Sequence, residues 1–287
     1  MKESGEMFNQ SGERTRMAED LNREKYLCIN EKAAKFYNSN LYTNDNRGLE
    51  YLQQLGISME TISTFMLGYA PASGHALVDY LRSEGVSEED MCGSMLVERK
   101  GGNLYDRHCD RVMFPVFNTQ DRVIALRGRL IGCTIDNTAA TYLTTWNKLI
   151  MPMRLDAFFG LNITKKDIES EGRAIVVEGC RDMIMLYQNG VKNVTAAIGS
   201  GMTDSQAKLL CSFSKNIVIS YDSDQAGANA AARDAETIAA AGGNSYIVQM
   251  GNSKDPAEFI EAHDKGAFIR LVDDAVKKIS VDEEYLK

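Results

Sequence analysis

From Gly172 onward the chain alternates short apolar runs with longer amphipathic ones, and this rhythm constrains the fold more than any other feature. RAIVVEG, NVTAAIG, NIVISYD and NSYIVQM have the length and β-branched content of strands. CRDMIMLYQNG, MTDSQAKLLCSF and the alanine-rich QAGANAAARDAETIAAAGG read as the helices between them. Thr203 and Gln206 stand three apart, as in a capping box. Strands alternating with helices specify a parallel, doubly wound sheet. The first two strands are nearly all apolar, as expected when helices cover both faces.

The preceding residues have another character. Residues 18–90 read as helices: Leu27, Ala34, Tyr37 and Leu41 recur at helical spacing, GLEYLQQLG is a short helix closed by Gly56, and Ser58 caps SMETISTFMLG. MLVER, RVMFPVFN and RVIALRGRLIG are β-rich, with NTQD joining the last two. Residues 133–150 show no periodicity, and LDAFFGL reads as a connection or short helix. The expected organisation is a flexible lead-in at 1–17, an α+β N-terminal subdomain at 18–171, a Rossmann-like α/β domain with a parallel sheet and flanking helices at 172–265, and a helical segment at 266–287.

Several classes are excluded. No run of 18 apolar residues exists, so no transmembrane helix and no membrane partner is expected. The polar start has no apolar core of a secretion signal. Six cysteines without a CxxC pair and three histidines predict no zinc site, and fit a reducing cytoplasm. The net charge of −8 argues against a general nucleic-acid coat. Yet the stretch from Arg99 to Arg154 carries nine Lys/Arg against four acids, a basic island suited to a local polyanion site.

In open α/β sheets, ligands bind beyond the carboxyl ends of the strands. Here those ends carry acids. Glu178 ends the first strand, Asp222 and Asp224 follow the third, Asp182 lies one turn into the helix after Glu178, and Asp255 follows the fourth strand. An aspartate before a helix is often only a cap, and Asp224 suits that role. Crowded carboxylates repel unless a cation joins them, and Mg²⁺ takes oxygen ligands while keeping waters for phosphate. Gly179 and Gly227 follow these acids where a small residue permits close approach.

VVEG and YDSDQAG resemble the glutamate and DxD motifs of the TOPRIM domain. EKAAKFYNSNL, GLEYLQQLGIS, FMLGYAP, DRVMFPVFNTQDRVIALRGRLIG, VVEGCRD and YDSDQAG also stand in the order found in bacterial replicative primases of the DnaG type, over about residues 24–265. The resemblance covers their RNA-polymerase core, without the family's zinc-binding and helicase-binding domains. It implies template-directed synthesis of short RNA primers on single-stranded DNA from ribonucleoside triphosphates, with two or more Mg²⁺ or Mn²⁺ ions. Glu178, Asp222 and Asp224 would be catalytic, and Asp182 and Asp255 would join them as metal ligands. Arg129 matches an arginine of the family's basic ridge, Arg154 stands where the family usually has a lysine, and Arg127 and Lys148 would supplement them at template and nucleotide. A replicative helicase is the implied partner, through a domain absent from the matched region. The family's lysine before its YLNS-like segment is Thr141 here, its aspartate after DP is Ala257, and Thr64 replaces a frequent basic residue. The competing expectations are a TOPRIM nuclease or topoisomerase-like enzyme, and a catalytically weak module binding nucleic acid or a replication partner.

Overall fold

A computed structural model describes the backbone of residues 3–285 except 44, 46, 132–139, 148, 151–156 and 200, and side chains within 19–277. The chain forms two compact units. The first comprises Met1–Leu52, Met66–Pro115 and Arg122–Arg154; the second comprises Gln53–Phe65, Val116–Asp121 and Leu155–Lys287.

The first unit opens with helix α1 (Glu3–Asn40), so residues 3–17 of the expected flexible lead-in are helical backbone. A polar stretch can continue a helix that is anchored further along by its apolar face. That anchor is Leu27, Ala34 and Tyr37, buried with Leu41 against a small sheet. Helix α2 (Arg47–Gln54) buries Gly48 and Leu52. Helix α3 (Met59–Thr64), which belongs to the second unit, starts at Ser58, whose hydroxyl accepts from Thr61 N–H as expected. Strand β1 (Gly68–Ala70) follows. A β-carbon at Gly68 would stand 2.6 Å from the Tyr37 carbonyl carbon, so only glycine lets α1 lie on this strand.

Helices α4 (Ala76–Ser83) and α5 (Glu88–Gly93) precede the hairpin β2 (Val97–Lys100) and β3 (Asn103–Asp106). Gly101 and Gly102 both take positive φ at its turn, as a tight hairpin requires. Buried Asp106 accepts from the N–H groups of Leu77 and Val78 at 2.8 and 2.9 Å, and so caps α4 from a distance in sequence. Strands β4 (Arg111–Phe117), β5 (Val123–Leu130) and β6 (Tyr142–Thr145) complete a sheet ordered β1-β4-β5-β6.

The main segment of the second unit runs from Leu155, ahead of the expected 172, because it includes strand β7 (Phe158–Phe159) and helix α6 (Leu161–Glu171). Within LDAFFGL, Phe158 and Phe159 are therefore an edge strand and Leu161 starts a helix, while Leu155 and Asp156 lie outside the described residues. Then come β8 (Ala174–Val177), α7 (Cys180–Gln188), β9 (Val194–Ala197), α8 (Asp204–Phe213), β10 (Asn216–Ile219), α9 (Gln225–Ala240), β11 (Asn244–Ile247), α10 (Pro256–Ala262) and α11 (Lys265–Tyr285). The sheet order is β11-β10-β8-β9-β7; β8 to β11 are parallel and β7 is antiparallel to β9. The four residues of β8 and of β9 are all buried, as their apolar composition predicts. α7 packs on α10, and α8 packs on α9.

The fold is thus α/β with a doubly wound parallel sheet, joined to an α+β unit. From β8 the chain moves to β9 on one side, then returns to place β10 on the other. The direction of winding reverses between β8 and β10, and a crevice forms beyond the carboxyl ends of strands at such a point.

Candidate functional site

Glu178 ends β8 and Asp222 lies just past β10, so the reversal places them side by side. The Asp222 N–H donates to Glu178 Oε1 at 3.3 Å. Asp224 caps α9 by accepting from Gly227 N–H at 2.8 Å, and Asp255 caps α10 by accepting from Glu258 N–H at 2.8 Å. Asp182, in the first turn of α7, is 7% exposed and accepts from Ala257 N–H at 3.3 Å. The two glycines make room as expected. A β-carbon at Gly179 would overlap Asp182 Oδ2, and one at Gly227 would overlap the Asp222 carbonyl oxygen.

The five acids also act on one another through their charges. Burial, then the charges of Asp255 and Asp222, pushes Asp182 up to about 7. Burial, then Asp222, raises Glu178; burial, then Asp255 and Asp224, raises Asp222, with Lys254 opposing. Arg181 sets its guanidinium 4.0 Å from Asp255 and 2.6 Å from Glu261. Among the described residues, no three side chains converge as a ready-made metal cage. The donors are all oxygens, which suits a hard cation.

Sequence reasoning missed the residues behind this edge. Asp234 on α9 is fully buried; it accepts from Tyr221 Oη at 2.6 Å and Met202 N–H at 3.0 Å. Tyr221 directly precedes Asp222, so this pair fixes the approach to the acid edge. A signal was present: Gly227, Ala231, Asp234 and Ile238 recur at helical spacing on the buried face of α9, where an acid is out of place.

The basic island is smaller in space than in sequence. Arg99 pairs with Glu88, Lys100 with Glu98, and Arg122 with Glu24 and Glu31. Arg111 is buried and donates to the carbonyls of Gly128, Ala140 and Thr141. Of the others described, Arg107 lies between β3 and β4, and Arg127 and Arg129 lie on β5. The guanidinium carbons of Arg127 and Arg129 stand 4.5 and 5.7 Å from the centre of the Tyr142 ring, and Arg129 also lies 5.6 Å from that of Tyr51. Among the described residues neither pairs with a carboxylate. Lys148 and Arg154 lie outside the described residues.

At the departures from the family pattern, Ala257 is fully buried with its N–H on Asp182, so the backbone contacts the acid cluster there. Thr141 offers its carbonyl to Leu130 N–H and to Arg111.

The family described as "DNA primase catalytic core, N-terminal domain" matches residues 36–154, and "Toprim-like" matches residues 175–260. The chain is 35% identical over 261 residues to the DNA primase of Clostridium acetobutylicum, covering 90% of this chain and 43% of that one. It is 32% identical to the DNA primase of Aquifex aeolicus, covering 87% of this chain and 49% of that one. The chain therefore spans about half the length of these relatives. The crystal structure of the zinc-binding and RNA polymerase domains of Aquifex aeolicus primase superposes with a TM-score of 0.81 at 31% identity, covering 88% of this chain and 62% of that one. A DnaG primase catalytic domain bound to single-stranded DNA superposes with a TM-score of 0.79 at 26% identity, covering 89% of this chain and 83% of that one.

Proposed function

The chain belongs to the family of bacterial DnaG-type primase catalytic cores, and on that premise we propose that it synthesises short RNA primers on single-stranded DNA. The observation that carries this reading is the meeting of Glu178 and Asp222 at the winding reversal of the sheet, with Asp182, Asp224 and Asp255 around them.

Primer synthesis is nucleotidyl transfer. A 3′-hydroxyl attacks the α-phosphorus of a ribonucleoside triphosphate, and pyrophosphate leaves. Two divalent ions, Mg²⁺ or Mn²⁺, would supply charge neutralisation on the attacking and leaving oxygens. Glu178, Asp222 and Asp224 would hold them, with Asp182 and Asp255 completing the cluster. Asp224 and Asp255 each keep an oxygen beyond the one that caps a helix, so capping and ion binding are compatible. The protein's share is placement: backbone N–H groups fix four of the five carboxylates before any ligand arrives.

Arg127 and Arg129 would bind the template backbone. A planar guanidinium donates paired hydrogen bonds to phosphate. Tyr142 packs its ring against both guanidinium groups and so orients them. In this reading Arg154 and Lys148 add to the basic surface, and a replicative helicase joins through a segment beyond the matched region. Among the described residues no helix is long and apolar enough to cross a membrane, and the reading places the protein with the chromosome in the cytoplasm.

The test is incorporation of labelled ribonucleotides on a single-stranded DNA template with Mg²⁺ or Mn²⁺. The reading expects template-dependent RNA that disappears in Glu178→Gln and Asp222→Asn. Cleavage of the DNA without extension would favour a TOPRIM nuclease. Nucleic-acid binding without either reaction would favour a binding module.

A further inference from the structure

The acid edge has a second side. Asp182 and Asp255 belong to the α7–α10 layer, whereas α9 lies in the other layer, with α8. On α9, Ala226, Ala230 and Arg233 follow one another at four- and three-residue steps and so share one face. With Glu178, Gly199 and Gly201 they line a cavity of about 310 Å³. Alanine and glycine keep its walls thin. Among the described residues its charged lining is one carboxylate, Glu178, and one guanidinium, Arg233.

The Arg233 side chain is more than half exposed and makes an ion-pair contact near its base. Its Nε stands 3.8 Å from Oδ1 of the fully buried Asp234, which also accepts from Met202 N–H and Tyr221 Oη. One buried acid thus ties together the arginine, the segment after Gly201 and the tyrosine before Asp222. The guanidinium lies against Gly201, where a β-carbon would stand 2.8 Å from Nη2. Gly201 has φ of +144°, a conformation that a side chain would strain. A larger residue at 201 would both strain the backbone and push the arginine away.

We propose that this cavity binds the terminal phosphates of the nucleoside triphosphate, with Arg233 as the residue that grips them. The inference rests on the polymerase reading for its substrate. Arg233 supplies the fork of donors that phosphate oxygens take, and Glu178 faces the same space as a carboxylate able to share a cation with them. The amino end of α9, at Ala226, adds its positive dipole. A nucleic-acid strand is tracked by several cations along a groove; one guanidinium among the described lining residues of a cavity suits a polyphosphate.

Calorimetric titration of the whole chain with a non-hydrolysable nucleoside triphosphate, and with the corresponding monophosphate, both in Mg²⁺, tests this. Wild type should prefer the triphosphate. Arg233→Gln should weaken the triphosphate by about tenfold, as expected for one charge-assisted contact, and leave the monophosphate unchanged. Arg233→Lys should fall between, because it keeps charge and loses the fork. Single-stranded DNA affinity should not change, and circular dichroism should show an intact fold. If Arg233→Gln unfolds, Arg233→Lys carries the same comparison. Equal triphosphate affinity in wild type and the folded variant overturns the inference, as does a parallel loss of DNA affinity, which would make the cavity a strand site. The polymerase reading is judged separately, by wild-type primer synthesis; this inference is judged by triphosphate selectivity alone.

Discussion

The backbone N–H of Asp222 points at the carboxylate of Glu178 from the neighbouring strand, 3.3 Å away. The contact exists because β10 pairs with β8, which is separated from it in sequence by β9. One acid is therefore positioned by the peptide of another, and the repulsion between their side chains is left for a cation to relieve.

This arrangement predicts that metal affinity depends on pH. Asp182 is pushed up to about 7, chiefly by burial, so below that value a proton must leave before a cation can be shared. Mn²⁺ affinity should rise with pH up to about 7 and then level. In Asp182→Asn the rise should flatten. A slope identical to that of wild type would remove Asp182 from the cluster.

Asp234 should be costly to lose. In Asp234→Ala the Tyr221 hydroxyl and Met202 N–H are buried without a partner, which costs about 1–3 kcal/mol each when no water reaches them. Urea unfolding should show a fall in stability of that order. A variant as stable as wild type would mean the pair is not buried in solution.

A third prediction concerns acid stability in the first unit. His108 is fully buried, and burial, then the charges of Arg111 and Arg107, pushes it down to about 3. The folded state thus keeps His108 neutral, while the unfolded chain protonates near the ordinary value of 6.5. The unfolded state binds the extra proton, so stability is present above 6.5 and falls as pH drops toward 3. Thermal unfolding of wild type against His108→Gln, followed between pH 7 and 4, checks the sign. The wild-type curve should drop more steeply.

Arg127 and Arg129 should contribute to nucleic-acid binding through phosphate contacts. Replacing either with alanine should weaken single-strand binding and reduce the steepness of its salt dependence by about 0.7 per lost contact. If both variants kept the wild-type slope, the pair's aromatic partner Tyr142 would be its sole role.

Much of this was legible in residue order, because parallel strands announce themselves as apolar runs and their ends are where carboxylates matter. Ser58, Thr203 and the glycines at 179 and 227 could be read because each answers a local steric or capping need. The five acids could be named because each lies beside a strand end. Other elements were too short or too plain. β7 is two residues long, and a period of two cannot be seen in two residues. β6 has only four residues between segments without pattern. α6 buries Leu161, Thr164 and Ile168, a helical spacing whose polar middle member hides the stripe. The basic island misled by counting charge, because Arg99, Lys100 and Arg122 are neutralised by acids, and Arg111 by its burial against carbonyls. Arg233 and Asp234 sit inside an alanine-rich helix whose composition gives no hint that one face lines a cavity.

The most direct measurement is a Mn²⁺ titration of wild type, Glu178→Gln and Asp222→Asn under identical buffer conditions. The account predicts saturable binding by wild type and affinity at least about tenfold weaker in each variant, since each removes one charged oxygen donor from the pair. Equal Mn²⁺ affinity in all three proteins would contradict it.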